Sequence, residues 1–142
     1  MFCRAGYTVD GYEQQAELMK ALAHPIRLHI LDILKEGECC VCHLTTVLKQ
    51  RQPYVSQQLM ALRDAGLVTD RKEGTLVYYR LADGRVAELL AAAREVLRAR
   101  GLAVEVPAIP KPPVSGCSCP KCQELEACCG LPGENALARR AG

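Results

Sequence analysis

Two short helical patterns joined by a tight turn, the first fronted by three thiols, fill the stretch EGECCVCHLTTVLKQRQPYVSQQLMALRDAGLV from Glu36 to Val68. The second pattern predicts a helix opening at Pro53, since proline suits the first helical position and Gln52 offers polar groups just before it. Val55, Leu59 and Leu62 recur at i, i+4 and i+7 and make one buried stripe. At about 100° per residue, the opposite side and the first turn carry Tyr54, Ser56, Gln57 and Gln58, and Gly66 stops the helix one residue after Ala65. Hydrogen-bonding side chains crowded at an exposed N-terminal end are what a helix needs if its first turn is to touch base edges in a major groove. The first pattern predicts a helix from Cys39 or Cys40 to near Lys49, with Leu44, Val47 and Leu48 facing inward. Gln50-Arg51-Gln52-Pro53 is then a four-residue turn, close to a helix-turn-helix connection.

The rest of the chain supports that unit. Its 142 residues suffice for one compact domain plus a tail, and 49% apolar with 24% charged residues is ordinary globular composition. A net charge of only +2 is too small to announce nucleic-acid binding by itself, so any DNA affinity must come from local clustering. Nine cysteines stand against three histidines. In a secreted chain that would suggest a disulfide framework, but the count is odd, the spacings are metal-like, and neither a signal peptide nor a membrane-spanning run is present. The expectation is a reducing cytoplasm, with thiols free for ligation or redox chemistry.

The opening MFCRAGYTVDGY has no period and reads as a flexible arm carrying Cys3. EQQAELMKALA, from Glu13 to Ala23, predicts a helix with Leu18, Met19 and Leu22 along one side. Pro25 opens the next helix, PIRLHILDILKE, which ends at Gly37; Ile26, Leu28, Ile30, Leu31, Ile33 and Leu34 cover so much of its circumference that it must be the central core helix. His24 and His29 read as capping or packing residues there. LVTDRKEGTLVYYRL surrounds the turn signal Glu73-Gly74 with β-branched and aromatic residues, and predicts a two-stranded hairpin with Arg71 and Lys72 near its tip. Beside a helix-turn-helix such a hairpin is a wing, and its two cations become phosphate contacts. Asp83 to Arg100 predicts a last helix with a seam of Val86, Leu89, Leu90, Ala93, Val96 and Leu97. That stripe exceeds what one small domain can bury, which suggests a two-fold dimer interface shared with the first helix. The fold class expected is therefore mostly α with a small β-hairpin wing, dimeric through its first and last helices.

Beyond Gly101 the character changes. Pro107, Pro110, Pro112 and Pro113 make a semi-rigid linker, followed by GCSCPKCQELEACCG with Cys117, Cys119, Cys122, Cys128 and Cys129. So many thiols with no evident core to bury them point to a soft ion. The division expected is a winged-helix and dimerisation domain at 1–103 and a proline-rich linker with a cysteine-rich tail at 104–142.

AHPIRLHILDIL, then Glu38-Cys39-Cys40-Val41-Cys42-His43-Leu44, then QPYVSQQLMALRDAGLV and RKEGTLVYYRL together resemble the ArsR/SmtB family of metal-responsive winged-helix repressors, over roughly Glu13 to Arg100. The resemblance implies a homodimer that binds a palindromic operator when metal-free and releases it when metal binds. It also implies that Gln52, Tyr54, Ser56 and Gln57 face the major groove and that Arg71 and Lys72 lie on the wing. Two departures stand out. Arsenic-sensing members with three neighbouring thiols have a third cysteine where this chain has Thr45, and Cys39 stands where the family usually has an apolar residue. The last helix also lacks the paired histidines and carboxylates of zinc-sensing members, since Asp83 and Glu88 have no histidine near them.

A site of thiolates selects soft ions such as As(III), Sb(III), Cd(II), Pb(II) or Cu(I). As(III) is satisfied by three sulfurs, whereas Cd(II) and Zn(II) prefer four ligands and would recruit Cys3, His43 or the tail. Cys39, Cys40 and Cys42 fit the smaller demand, so As(III) leads. On a regular helix Cys40 and Cys42 point about 200° apart while Cys39 and Cys42 share a side, so ligation either uses that pair or unwinds the first turn. Because this helix braces the next, such a distortion would withdraw Gln52 to Gln57 from the groove. Two rivals remain: a thiol sensor of oxidants or persulfides on the same fold, and a cysteine-rich sequestration protein with an incidental helix-turn-helix. Enzymatic arsenate reduction is disfavoured, because no cysteine is followed by arginine at the spacing of an anion-binding loop.

Overall fold

A computed structural model describes residues 10–129, with side chains as far as residue 125. The chain runs through α1 (Asp10–Leu22), α2 (Pro25–Lys35), β1 (Cys39–Cys40), α3 (Val41–Leu48), α4 (Gln52–Asp64), β2 (Val68–Glu73), β3 (Leu76–Leu81), α5 (Arg85–Ala99) and α6 (Pro120–Cys129). Helix α2 is the spine, as its apolar circumference requires: Ile30, Leu31, Ile33 and Leu34 are all buried. Pro25 sits in its first turn and His24 caps it, the ring Nδ1 accepting from the Ile26 amide at 3.2 Å.

Leu44 from α3 and Val55, Leu59 and Leu62 from α4 close over α2, each with no measurable exposure. Each such side chain contributes roughly 1.5–3 kcal/mol by leaving water, which is how a helix as short as α3 holds its shape. Lys49 takes the left-handed conformation at the end of α3, with φ of 53°. Only Lys49 to Arg51 then separates the helices, so the turn is shorter than predicted and α4 begins at Gln52 rather than Pro53.

Gln58 departs from expectation. It is buried, and its Oε1 accepts from Arg27 Nε at 2.9 Å, while Arg27 Nη1 reaches the Ala21 carbonyl at 3.1 Å. One guanidinium thus fastens α1, α2 and α4 together. Asp32, also buried, pairs with Arg94 of α5 and anchors that helix to the spine.

The wing pairs Val68↔Leu81 through Glu73↔Leu76 around Gly74, whose φ of +60° a side chain would resist. The predicted hairpin forms, and a third strand that was not predicted joins it. Cys39↔Tyr79 and Cys40↔Tyr78 add β1 to a three-stranded antiparallel sheet of order β1-β3-β2. The helix expected to start at Cys39 or Cys40 begins at Val41, with Cys40 extended as its N-cap. Outside this framework α1 and α5 expose Tyr12, Met19, Val96 and Leu97, with Leu102 just beyond. No helix among the described residues is long and apolar enough to cross a membrane.

Candidate metal centre and nucleic-acid interface

The strand at Cys39–Cys40 reverses the expected thiol geometry. Successive strand residues point to opposite faces, so Cys39 turns away, its Sγ 3.5 Å from the Gly37 carbonyl oxygen. Cys40, leaving the strand, and Cys42, in the first turn of α3, bring their sulfurs to 2.6 Å. The pair that a continuous helix would have separated is the pair the fold joins. The Cys42 carbonyl accepts from the hydroxyls of Thr45 and Thr46 at 2.8 and 2.9 Å, which fixes that turn.

The tail supplies the rest. Cys117, Cys119 and Cys122 are buried with Cys40 in a second apolar cluster, packed by Cys42, Tyr78 and Val114. The expectation that these tail thiols have nothing to bury them is thereby corrected. Helix α6, which sequence reasoning did not foresee, carries Cys122 in its first turn. Two convergent sets result: the sulfurs of Cys40, Cys42 and Cys119, and His43 with Cys117, Cys119 and Cys122, the ligand atoms of each within 4.8 Å of one another. Cys119 belongs to both. Cys3, Cys128 and Cys129 lie outside the residues whose side chains are described.

Burial dominates the electrostatics. It pushes the Cys39 and Cys40 thiols up to about 11, the latter helped by its hydrogen bond with Cys42. It also raises Cys117 and Cys122, and lowers His43, on which the Lys121 ammonium acts in the same direction. Such groups are neutral at physiological pH, so an entering cation must displace protons from the thiols.

The first turn of α4 and the wing carry the surface predicted to read DNA. Gln52 and Gln57 are exposed and Ser56 half-buried at the front of α4. Tyr54 is half-buried, its hydroxyl 3.4 Å from His24 Nε2. Because His24 Nδ1 already accepts, its Nε2 carries the proton and donates to the tyrosine oxygen. Lys72 is exposed on β2. Arg71 is not a free cation: Glu38 and Glu73 hold it, and it lies 4.4 Å over the Tyr78 ring.

A helical pair with an exposed polar first turn and a charged wing beside it is the architecture of a winged helix-turn-helix DNA-binding transcriptional regulator. The model of bacterial regulatory proteins of the arsR family matches residues 24–70. A helix-turn-helix transcriptional regulator of Methanocaldococcus jannaschii is 45% identical over 83 residues, covering 58% of this chain and 93% of that one. The arsenical resistance operon repressor of Escherichia coli is 51% identical over 67 residues, 46% of this chain and 57% of that repressor. In solution the homodimeric winged helix-turn-helix DNA-binding domain of Mycobacterium bovis Mb0332, described as a possible ArsR-family regulator, superposes with a TM-score of 0.63 at 34% identity. It covers 76% of this chain and 100% of that domain. The chain belongs to the ArsR family.

Proposed function

We propose that the protein is a cytoplasmic, homodimeric repressor that holds operator DNA in the ion-free state and releases it when a thiophilic ion, As(III) first among them, is taken by Cys40, Cys42 and Cys119. The convergence of those three sulfurs, with no oxygen or nitrogen ligand in the set, carries this reading. It suits a trivalent ion that needs three soft donors better than one that needs four. Arsenous acid would lose its three hydroxyls as water, the three thiols supplying the protons. Sb(III) fits the same chemistry, whereas Cd(II) and Pb(II) would recruit a further ligand. The third sulfur thus comes from the tail, while Cys39 faces elsewhere.

Gln52, Tyr54, Ser56 and Gln57 are the proposed base-reading residues and Lys72, with Arg71 behind it, the phosphate contact on the wing. The exposed Tyr12, Met19, Val96 and Leu97 of α1 and α5 supply an apolar face for the dimer. Coupling is mechanical. Cys40 belongs at once to β1, paired with the wing, and to the N-terminus of α3, which braces α4. Drawing its sulfur toward Cys119 displaces both DNA-contacting elements. A hundredfold loss of affinity requires a coupling of about 2.7 kcal/mol, within the usual allosteric range.

The approach of Cys40 to Cys42 favours one second reading, in which an oxidant converts the two thiols to a disulfide and is itself reduced by two electrons. Operator binding followed by fluorescence anisotropy separates the two. As(III) in the presence of a phosphine reductant should release the DNA and peroxide should not; release by peroxide alone, with indifference to As(III), would replace the first reading by the second.

A further inference from the structure

The second convergent set is a different kind of site. His43 Nδ1 stands 3.7 Å from the sulfur of Cys117, 4.0 Å from that of Cys119 and 3.3 Å from that of Cys122. All four residues are buried, none more than 3% exposed. Thiol-to-imidazole hydrogen bonding does not explain the arrangement, because a neutral ring nitrogen has one in-plane acceptor position and cannot serve three thiols. A central ion does explain it. With zinc–sulfur bonds of about 2.3 Å and a zinc–nitrogen bond of about 2.0–2.1 Å, tetrahedral geometry places nitrogen roughly 3.5 Å from each sulfur. The observed distances bracket that value.

The surroundings also fit an ion-bearing centre. The Val114 amide points at Cys122 Sγ from 3.3 Å and the Cys122 amide at Cys119 Sγ from 3.4 Å, donors of the kind that stabilise thiolates around a metal. Lys121 lies close enough for its charge to be felt by His43, and it offsets the single negative charge that three thiolates and a divalent cation would leave. Gln123 Nε2 ties the loop back to the Cys117 carbonyl at 3.1 Å.

We propose that His43, Cys117, Cys119 and Cys122 form a four-coordinate site for Zn(II) that clamps the tail onto α3, and that Cys119 is shared in alternation with the As(III) site of the preceding section. The four-ligand site stands without the As(III) reading; the alternation rests on it. Binding Zn(II) releases three protons from the three thiols. When the Cys119 sulfur leaves zinc, that thiolate, the Cys40 and Cys42 thiols and one proton from solvent convert arsenous acid to a three-sulfur adduct and three waters. The four-coordinate site is left one ligand short. The imidazole divides the two sets: a borderline divalent ion accepts mixed nitrogen and sulfur, whereas the trivalent ion takes sulfur alone.

The test uses the full-length protein, stripped of metal and held reduced, titrated first with Co(II) as a spectroscopic stand-in and then with Zn(II). One Co(II) per chain should bind with the strong visible bands and thiolate charge-transfer absorption of a tetrahedral sulfur-rich site. Cys117→Ser and Cys122→Ser should each weaken binding by more than about 100-fold, while Cys40→Ser/Cys42→Ser binds as wild type. A weak six-coordinate spectrum, or tight binding that survives both tail substitutions, overturns the site. For the alternation, one equivalent of As(III) should free Zn(II) to a colorimetric chelator in wild type but not in Cys40→Ser/Cys42→Ser. Zinc retained in a wild-type protein that has demonstrably bound As(III) overturns the sharing of Cys119. Failure of Cys40→Ser/Cys42→Ser to alter As(III) binding would instead count against the sensor assignment.

Discussion

Glu38, the residue before the thiol-bearing strand, holds Arg71 of the wing by three contacts: its Oε1 accepts from Nη2 at 2.6 Å and from Nε at 2.9 Å, and its Oε2 accepts from Nε at 3.0 Å. The ion pair joins the N-terminal approach to the sulfur site with the surface that meets DNA. The guanidinium beside it also holds the Glu38 carboxyl below the usual carboxylate range. The pair is solvent-exposed, so its worth lies in placing charge rather than in stability.

Glu38→Gln should therefore strengthen operator binding. With one of its two carboxylates gone, Arg71 becomes available to phosphate. The slope of log affinity against log salt should steepen by up to about 0.9 per protomer, the equivalent of one phosphate contact on each half of the homodimer. A slope identical to wild type would show that Arg71 never approaches the backbone. Lys72→Ala should shift it the other way by a similar amount, weakening all sequences alike.

Cys40→Ser, Cys42→Ser and Cys119→Ser should each bind operator as wild type does and lose release by As(III), shrinking a hundredfold response to less than about threefold. Cys39→Ser should respond normally, because its sulfur faces the Gly37 carbonyl. A normal response from Cys119→Ser would return the third ligand to the α3 region. Anisotropy titrations with and without As(III) decide this.

Gln57→Ala and Gln58→Ala should part company although they are neighbours. The exposed Gln57 should cost about 1–3 kcal/mol in discrimination at one base pair and nothing in stability. The buried Gln58 should cost stability instead, on the order of 1–3 kcal/mol, since its loss leaves the Nε–H of Arg27 without its acceptor and only the Ala21 carbonyl to hold that guanidinium. Operator selection and urea unfolding measure the two effects separately.

Asp32→Ala should destabilise the fold by about 2–3 kcal/mol, below the usual cost of breaking a fully buried pair because Arg94 keeps 18% exposure. With α5 loosened from the spine, dimer dissociation should rise in parallel. Urea denaturation and sedimentation at matched protein concentrations check both.

Much of the fold was legible because periodicity reports burial directly. The stripes of α2 and α4, the Gly74 turn and the seam beginning at Val86 and Leu90 all follow from spacing and composition. The site was less legible, because its ligands meet by tertiary pairing. Thiol order in Glu38-Cys39-Cys40-Val41-Cys42 suggested a continuous helix. Pairing of Cys39 and Cys40 with Tyr79 and Tyr78 turned them into a strand and so exchanged which sulfur faces Cys42. The return of the tail from Cys117 onto His43, 74 residues earlier, leaves no local signal at all. The one available hint was chemical: a histidine following C-x-C, and a distant C-x-C-x-x-C short of a fourth ligand.

Arsenic-edge X-ray absorption on the loaded full-length protein tests the central claim most directly. We expect three sulfur neighbours in wild type and in Cys39→Ser, and two sulfurs with one oxygen in Cys119→Ser. Three sulfurs persisting in Cys119→Ser, or lost in Cys39→Ser, would contradict a sensor assembled from Cys40, Cys42 and the tail.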